Sequence, residues 1–262
     1  MAREKTLIIT DLDGTFVYDS HSVKLKDQKA FLALQDQALV GIATGRSLKE
    51  IEYIERNFNV HSDFKVAFNG AIIQDEFNNM LNETSIESDQ LKKLLSFLKR
   101  HRLTFDALNG IERIGNYSTQ DKDRLWGMNI VCLDDPFRQL ENEKIFKINI
   151  RPKYEEFQYF HELIKKEFPS LGVYESGHKR IEVTAANTSK GRAVKILKRT
   201  SDYKIVSVGD SGNDVPMFKN SDLSFCMRSA PENVKKTADI IIDSFSDVEK
   251  YAEKFLCERE EA

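Results

Sequence analysis

Cysteine is scarce in this chain of 262 residues, and the three present, Cys132, Cys226 and Cys257, are odd in number and far apart. No Cys-x-x-Cys pair occurs, which argues against a zinc site or a disulfide framework and for a reducing compartment. The five histidines, His21, His61, His101, His161 and His178, show no ligand spacing and are expected mostly at the surface. A surplus of one charge is missing too. Lysine and arginine number 39 against 42 acidic residues, and a net charge of −3 gives no footprint of an electrostatic nucleic-acid binder. No apolar run reaches the length of a membrane span. The opening MAREKTLIITDLDG holds one short apolar run that leads straight into an acidic motif, the pattern of a strand and not of a signal peptide. There is no internal repeat and no low-complexity tract. These absences predict a soluble, cytoplasmic protein with neither nucleic acid nor membrane as partner; its oligomeric state is not legible. The length buries a real core in one large or two modest domains.

What is present starts with TLIITDLDGTFVY, residues 6–18. Leu7, Ile8 and Ile9 form the continuous apolar run of a strand buried on both faces of a parallel sheet. Asp11 and Asp13 follow, then Gly14 and Thr15 turn the chain. Residues two apart in an extended chain project to the same side, so the two carboxylates are expected to meet beyond the strand's carboxyl end. Open α/β sheets keep their ligand crevice there. Close carboxylates repel unless a cation sits between them or one holds a proton, which suggests metal-assisted chemistry. An ordinary acidic turn is the plainer reading of this fragment taken alone. A calcium loop is excluded, because its glycine and glutamate positions hold Phe16 and Ser22.

Along the chain, helical spacing over residues 26–38 leads to a small apolar strand over 39–43, ending in Thr44-Gly45-Arg46-Ser47. Ser47 and Glu50 form a capping box, and Ile51, Ile54 and Phe58 line one face of the helix that follows. A strand over 66–68 breaks at Asn69-Gly70, which reads either as a hairpin turn into residues 71–73 or as a loop at the sheet's carboxyl edge. The polar, Asn-rich stretch over 77–87 is expected to cross between domains. Leu91, Leu94, Leu95 and Leu98 then mark an amphipathic helix. Strands are expected over 103–108, 128–133, 145–150 and 180–184, with a helix carrying Phe157, Phe160, Ile164 and Phe168. Trp126 and the phenylalanine stripes read as core. From Thr188 the first style returns: a helix over 191–200, a buried strand over 205–208, the acidic loop Gly209–Asp214, a short helix opened by Pro216, strands over 224–227 and 240–242, and a closing helix over 248–256. The predicted fold is α/β: a doubly wound, mostly parallel, Rossmann-like core from residues 1–82 and 188–262, discontinuous around an α+β domain inserted at 83–187.

Four polar signals fall at the carboxyl ends of core strands or at a helix start. Asp11 with Asp13, Thr44-Gly45, and Asp210 to Asp214 follow strands, while Lys190 opens a helix between Ser189 and Gly191. Helix amino termini attract anions, and a lysine there adds a full charge. Thr44 offers a hydroxyl and Gly45 an open backbone N–H, which suit a phosphate oxygen. Acidic groups for a hard cation beside donors for an anion describe a phosphate-plus-magnesium site.

DLDGT, ATGR, SKG and GDSGND, in this order and with the insertion between the second and third, resemble the haloacid dehalogenase-like phosphohydrolase superfamily. The insertion after the Thr44 motif is similar to its type IIB capped, Cof-like branch. Any one of these motifs alone is weak; the ordered set is specific and spans the core. The resemblance implies Asp11 as the nucleophile that forms an aspartyl-phosphate and a magnesium ligand. It implies Asp13 as general acid, then base for the attacking water, and a magnesium ligand through its carbonyl. Asp210 would be the third protein ligand of Mg2+, positioned from behind by Asp214. Thr44, Gly45, Lys190 and Asn213, with the backbone N–H of Leu12, would hold the phosphoryl group. Two departures stand out: Arg228-Ser229-Ala230 replaces a common Gly-Asn-Ala near Asp214, and Phe16 replaces the commoner leucine. In the insert, Glu175, His178 and Arg180 are candidates to touch substrate, as is Arg46 in the core.

The expected activity is Mg2+-dependent hydrolysis of small phosphorylated metabolites, sugar phosphates foremost. A phosphosugar mutase or a phosphatase dedicated to one glycosyl phosphate stays open on the same scaffold. So does, outside enzymes, a phosphate-responsive binding protein or a receiver-like acceptor of phosphate on Asp11.

Overall fold

The structure, a computed structural model, describes residues 5–19, 21–121, 125–176, 180–200, 202–254 and 256. In chain order the elements are β1 (Lys5–Thr10), α1 (Leu25–Gln35), β2 (Leu39–Ala43), α2 (Leu48–Phe58), β3 (Phe64–Ala67), β4 (Ile72–Gln74) and β5 (Met80–Glu83). The insert then supplies α3 (Ser88–Arg100), β6 (Thr104–Leu108), β7 (Glu112–Gly115), β8 (Asn129–Cys132), α4 (Phe137–Leu140), β9 (Lys147–Arg151), α5 (Phe157–Glu167), β10 (Gly172–Ser176) and β11 (Arg180–Thr184). The chain closes with α6 (Lys190–Thr200), β12 (Tyr203–Gly209), α7 (Val215–Phe218), β13 (Leu223–Met227), α8 (Glu232–Lys235) and β14 (Ile240–Ile242), then a 3-10 helix, Phe245–Lys254. Two compact units result, residues 1–82 with 189–262 and residues 83–188.

The first unit is an eight-stranded sheet in the order β14-β13-β12-β1-β2-β3-β4-β5. The strands from β14 to β3 are parallel, and β4 turns back antiparallel on β3. Leu7 and Ile8 are wholly buried, as a strand covered on both faces requires. After β1 the chain winds outward through β2 and β3; on returning it starts again at β12, on the other side of β1, and winds the opposite way. The topological switch point therefore lies between β1 and β12, where a crevice opens at the carboxyl ends. The Asp11 N–H, donating to the Val208 carbonyl at 2.9 Å, ties the two strands there.

Local chemistry fixes the elements that frame this crevice. Ser47 caps α2: its Oγ accepts from the Glu50 N–H at 3.2 Å, and the Glu50 carboxylate accepts from the Ser47 N–H at 2.8 Å. Ser189 Oγ accepts from the Arg192 N–H at 3.1 Å at the start of α6. Pro216 lies in the first turn of α7, where its missing N–H costs nothing. Phe16 packs its ring 5.1 Å from Phe31 and 5.2 Å from Phe245, so its replacement of leucine builds a three-ring cluster under the 3-10 helix. That 3-10 helix, Phe245–Lys254, covers most of the closing helix expected over 248–256 and starts three residues earlier. The crossing expected over 77–87 contains the edge strand β5, whose side chains are too exposed to announce themselves as apolar.

The second unit is a six-stranded sheet, β10-β11-β9-β6-β7-β8, antiparallel except for the β7–β8 pair. One face, with Phe105, Ala107, Ile148, Ile150, Ile181 and Val183, packs on the leucine and phenylalanine stripes of α3 and α5. His161 of α5 is buried there beside the Phe157 ring, against the surface placement expected of most histidines. Trp126 is buried, as expected of a core residue. Strands β7 and β10 are additions to the expected set; both are short and mixed in polarity.

The opposite pleat of this sheet carries charge. Asp106, wholly buried, accepts from Asn149 at 2.9 Å and also meets Arg113 and Arg151. Glu182 lies 3.3 Å from Lys147 and 2.9 Å from Arg180. Burial alone would raise the Glu182 carboxyl, but Lys147 and then Arg180 outweigh it and hold it at about 2. Its stabilising contribution is therefore complete above the unfolded value and is lost as pH falls from about 4.5 to about 2. At neutral pH, Glu182→Gln should cost about 3–4 kcal/mol and flatten the acid limb of stability. Thermal melts at closely spaced pH values check this. Parallel acid limbs in the two proteins would refute it.

Candidate active site

Beyond β1 the backbone leaves the extended form at once. The N–H groups of Thr15, Phe16 and Val17 all donate to the Leu12 carbonyl, at 3.2, 3.0 and 2.7 Å. The chain therefore turns directly after β1 instead of continuing extended, and the Asp13 carboxylate is not among the clustered oxygens of Asp11, Asp210 and Asp214. Asp11 is nearly buried and enters the crevice. Asp13 is grasped by Arg46, whose Nε and one terminal nitrogen reach its two oxygens at 2.7 and 2.6 Å. Arg46 also meets Glu50 at 3.3 Å, so this candidate for substrate contact is engaged within the core.

Lys190 is the centre of the site. At the first position of α6 its charge opposes the helix dipole, so helix stability does not explain it. Its side chain is fully buried, with Nζ 2.5 Å from Asp11 Oδ1 and 2.6 Å from Asp214 Oδ1. Burial would lower the ammonium, yet Asp11 and Asp214 more than compensate and hold it above its ordinary range. The other oxygen of Asp214 accepts the backbone N–H groups of Asp210 and Ser211, at 3.0 and 2.9 Å. Asp214 thereby fixes both the lysine and the 209–214 loop. The departure at Arg228 leaves this support intact: that side chain pairs outward with Asp243.

Carboxylate oxygens of Asp11, Asp210 and Asp214 all lie within 4.8 Å of one another. Thr15 Oγ1 donates to Asp210 Oδ1 at 3.0 Å. A Cβ at residue 14 would fall 2.5 Å from Asp210 Oδ2, and φ there is +86°, so only glycine admits this approach. Burial first, then Asp214 and Asp210, push the Asp11 carboxyl well above its usual range, with Lys190 only partly opposing. Burial and Asp214 likewise lift Asp210 to about 6. One ammonium does not balance three clustered carboxylates. An all-oxygen donor set with excess negative charge fits a hard divalent cation.

The remaining candidates divide between the units. The Thr44 N–H donates to the Val66 carbonyl at 2.8 Å, and Thr44 Oγ1 accepts from the Arg46 N–H at 3.2 Å, which sets the 44–46 segment beside β3. Asn213 accepts from Ser211 Oγ at 2.5 Å and donates to Asn69 Oδ1 at 3.0 Å. In the second unit, Arg180 is bonded to Ser176 and Glu182, and Glu175 is exposed on β10. His178 lies outside the described residues. Thr15, Ser211 and Asn69 were not singled out by sequence; the first two sit inside the quoted motifs, where their hydroxyls were the available signal.

A doubly wound sheet with acid groups, a buried lysine and a capped helix start at its switch point defines a phosphohydrolase scaffold. A sequence model described as haloacid dehalogenase-like hydrolase matches residues 8–249, and the chain belongs to that family. It is 27% identical over 247 residues to the 5-amino-6-(5-phospho-D-ribitylamino)uracil phosphatase YcsE of Bacillus subtilis, covering 91% of this chain and 90% of that protein. The fold is similar to that of TM0651 from Thermotoga maritima, with a TM-score of 0.83, 21% identity, and 98% and 100% of the two chains covered. It is also similar to the subclass IIB sugar phosphatase BT4131, with a TM-score of 0.76, 19% identity, and 95% and 98% covered. The protein is an enzyme of the phosphatase type.

Proposed function

We propose that this enzyme is a Mg2+-dependent phosphatase of small phosphorylated sugars or polyols that works through an aspartyl-phosphate on Asp11. The observation that carries the proposal is Lys190, buried between Asp11 and Asp214 beside a third carboxylate. A lysine so placed lets a carboxylate approach another anion. Asp11, Asp210 and the Asp13 carbonyl would hold the cation, which when bound neutralises charge on the phosphoryl oxygens. Asp11 attacks phosphorus, and Asp13 delivers a proton to the leaving oxygen. Asp13 then takes a proton from the water that hydrolyses the acyl phosphate. Arg46, doubly bonded to Asp13, orients that carboxyl between its two duties. Lys190, the Thr44 hydroxyl, the N–H groups of Leu12 and Gly45, and the Asn213 amide hold the transferring group, since this chemistry is mainly positioning and charge neutralisation. The inserted α+β unit is the cap in this reading and carries leaving-group selection.

Two similarities support the substrate class. The Bacillus relative is named for a compound phosphorylated on a ribityl chain, and BT4131 is a sugar phosphatase. Phosphate release from a panel of sugar and polyol phosphates, with Mg2+ and with EDTA, tests the proposal. Release that EDTA abolishes is the expected result. Interconversion that needs a bisphosphate activator would indicate a mutase instead. Binding of inorganic phosphate without turnover of any panel member at saturating Mg2+ would indicate a binding protein.

A further inference from the structure

The turn Phe68–Gly70, between β3 and β4, has no role in the mechanism above, yet its backbone is under unusual constraint. Phe68 and Asn69 have φ of 49° and 56°, a region that a phenylalanine enters only when its surroundings impose it, and Gly70 follows at 99°. The surroundings are the phosphoryl-binding segments themselves. The Phe68 N–H donates to the Arg46 carbonyl at 2.8 Å, and the Asn69 N–H donates to the Thr44 carbonyl at 2.9 Å. A Cβ on residue 70 would lie 2.7 Å from the Ser189 carbonyl oxygen, so the turn abuts the residue before Lys190. Asn69 Oδ1 accepts from Asn213 at 3.0 Å. One three-residue turn thus meets the 44–46, 189–190 and 213 segments together.

The Asn69 side chain is what a hairpin alone does not explain. It is 1% exposed, and its Nδ2 has no hydrogen-bond partner among the described residues. In the structure Ser211 Oγ lies 2.5 Å from Asn213 Oδ1 and 3.2 Å from Asp214 Oδ2, and the Asn213 amide nitrogen donates to Asn69 Oδ1 at 3.0 Å, which turns the Asn69 amide nitrogen away from Asn213. The Asn69 Nδ2 is then a buried donor left over beside Asn213. A buried amide donor without an acceptor is costly, and an oxygen of a bound ligand is one group that can complete it. The acceptor that this site receives, on the function proposed above, is a phosphoryl oxygen.

We infer that Asn69 is a further phosphate-binding residue, donating from Nδ2 to an oxygen of the bound phosphoryl group while its Oδ1 orients Asn213. Two substitutions separate this role from backbone support. Asn69→Gly keeps the left-handed turn and removes the amide. Asn69→Asp keeps the turn and the acceptor for Asn213, but replaces the donor with an anion. Inorganic phosphate in the presence of Mg2+ is the probe, with affinity read by calorimetry and kcat and KM read on p-nitrophenyl phosphate. Asn69→Gly should bind phosphate about 10- to 100-fold more weakly, the loss expected of one hydrogen bond to a charged group. Asn69→Asp should be weaker still. A purely structural role predicts the reverse order, and phosphate affinity within about twofold of wild type in Asn69→Asp would overturn the inference. Should neither variant fold, the Asn69 side-chain amide resonance of the wild-type protein must shift on phosphate titration; an unmoved resonance would also overturn it. Failure of the phosphatase reading would be seen separately, as phosphate binding that depends on Asn69 in a wild-type protein without turnover.

Discussion

Asp11→Asn should abolish phosphate release and leave the core folded, with a melting midpoint equal to or above that of wild type. The catalytic half follows from chemistry. An amide oxygen is a poor nucleophile and forms no stable acyl phosphate, so turnover should fall on the order of 10^4-fold or more. The stability half follows from the surroundings of Asp11, which shares a 4.8 Å cluster with Asp210 and Asp214. Burial and these two neighbours already push its carboxyl well above the usual range. Removing one charge relieves that repulsion, while the asparagine oxygen still accepts from Lys190. Phosphate release at saturating Mg2+ and a thermal melt decide the matter together. Turnover above about 1% of wild type at unchanged KM would exclude Asp11 as nucleophile.

Asp11, Lys190 and Asp214 stand out in sequence because each follows a local rule and then breaks it: carboxylates end an apolar strand, and a lysine opens a helix against its dipole. Their meeting depends on β1 and β12 becoming neighbours, which alternating strands and helices foreshadow. The pairing of Asp13 with Arg46 is not legible there, because it turns on whether the chain stays extended for two more residues. The engagement of Arg46 was hidden for a related reason. Its partners, Asp13 and Glu50, lie on different elements, and Glu50 was already accounted for by its capping box with Ser47. Asn69 shows the limit most sharply. Asn-Gly is a strong turn signal, and the turn is real, but nothing local marks the side chain as the buried partner of Asn213. In the second unit, β11 was legible from its alternation, whereas β7 and β10 carry too few apolar residues to show a period.

Lys190→Met should strongly destabilise the core, because the side chain is fully buried and both of its ion pairs end on carboxylates. Methionine fills similar volume without charge, so the loss isolates electrostatics from packing. Breaking a buried pair from one side leaves an uncompensated charge and costs about 3–5 kcal/mol. Here two carboxylates are left, and Asp214 also anchors the 209–214 loop, so the upper part of that range applies. Asp11→Asn in the same chain should recover part of the loss, because it removes one of the orphaned charges. A double-mutant cycle over the two positions should therefore show favourable coupling of about 0.5–3 kcal/mol. Additive effects in that cycle would mean that the lysine supports the fold by packing alone. Mg2+ provides an independent check from the cation side: if the carboxylate cluster holds a divalent ion, Mg2+ should raise the midpoint of Lys190→Met more than that of wild type. An equal rise in both proteins would separate the buried ammonium from the metal-binding charge balance.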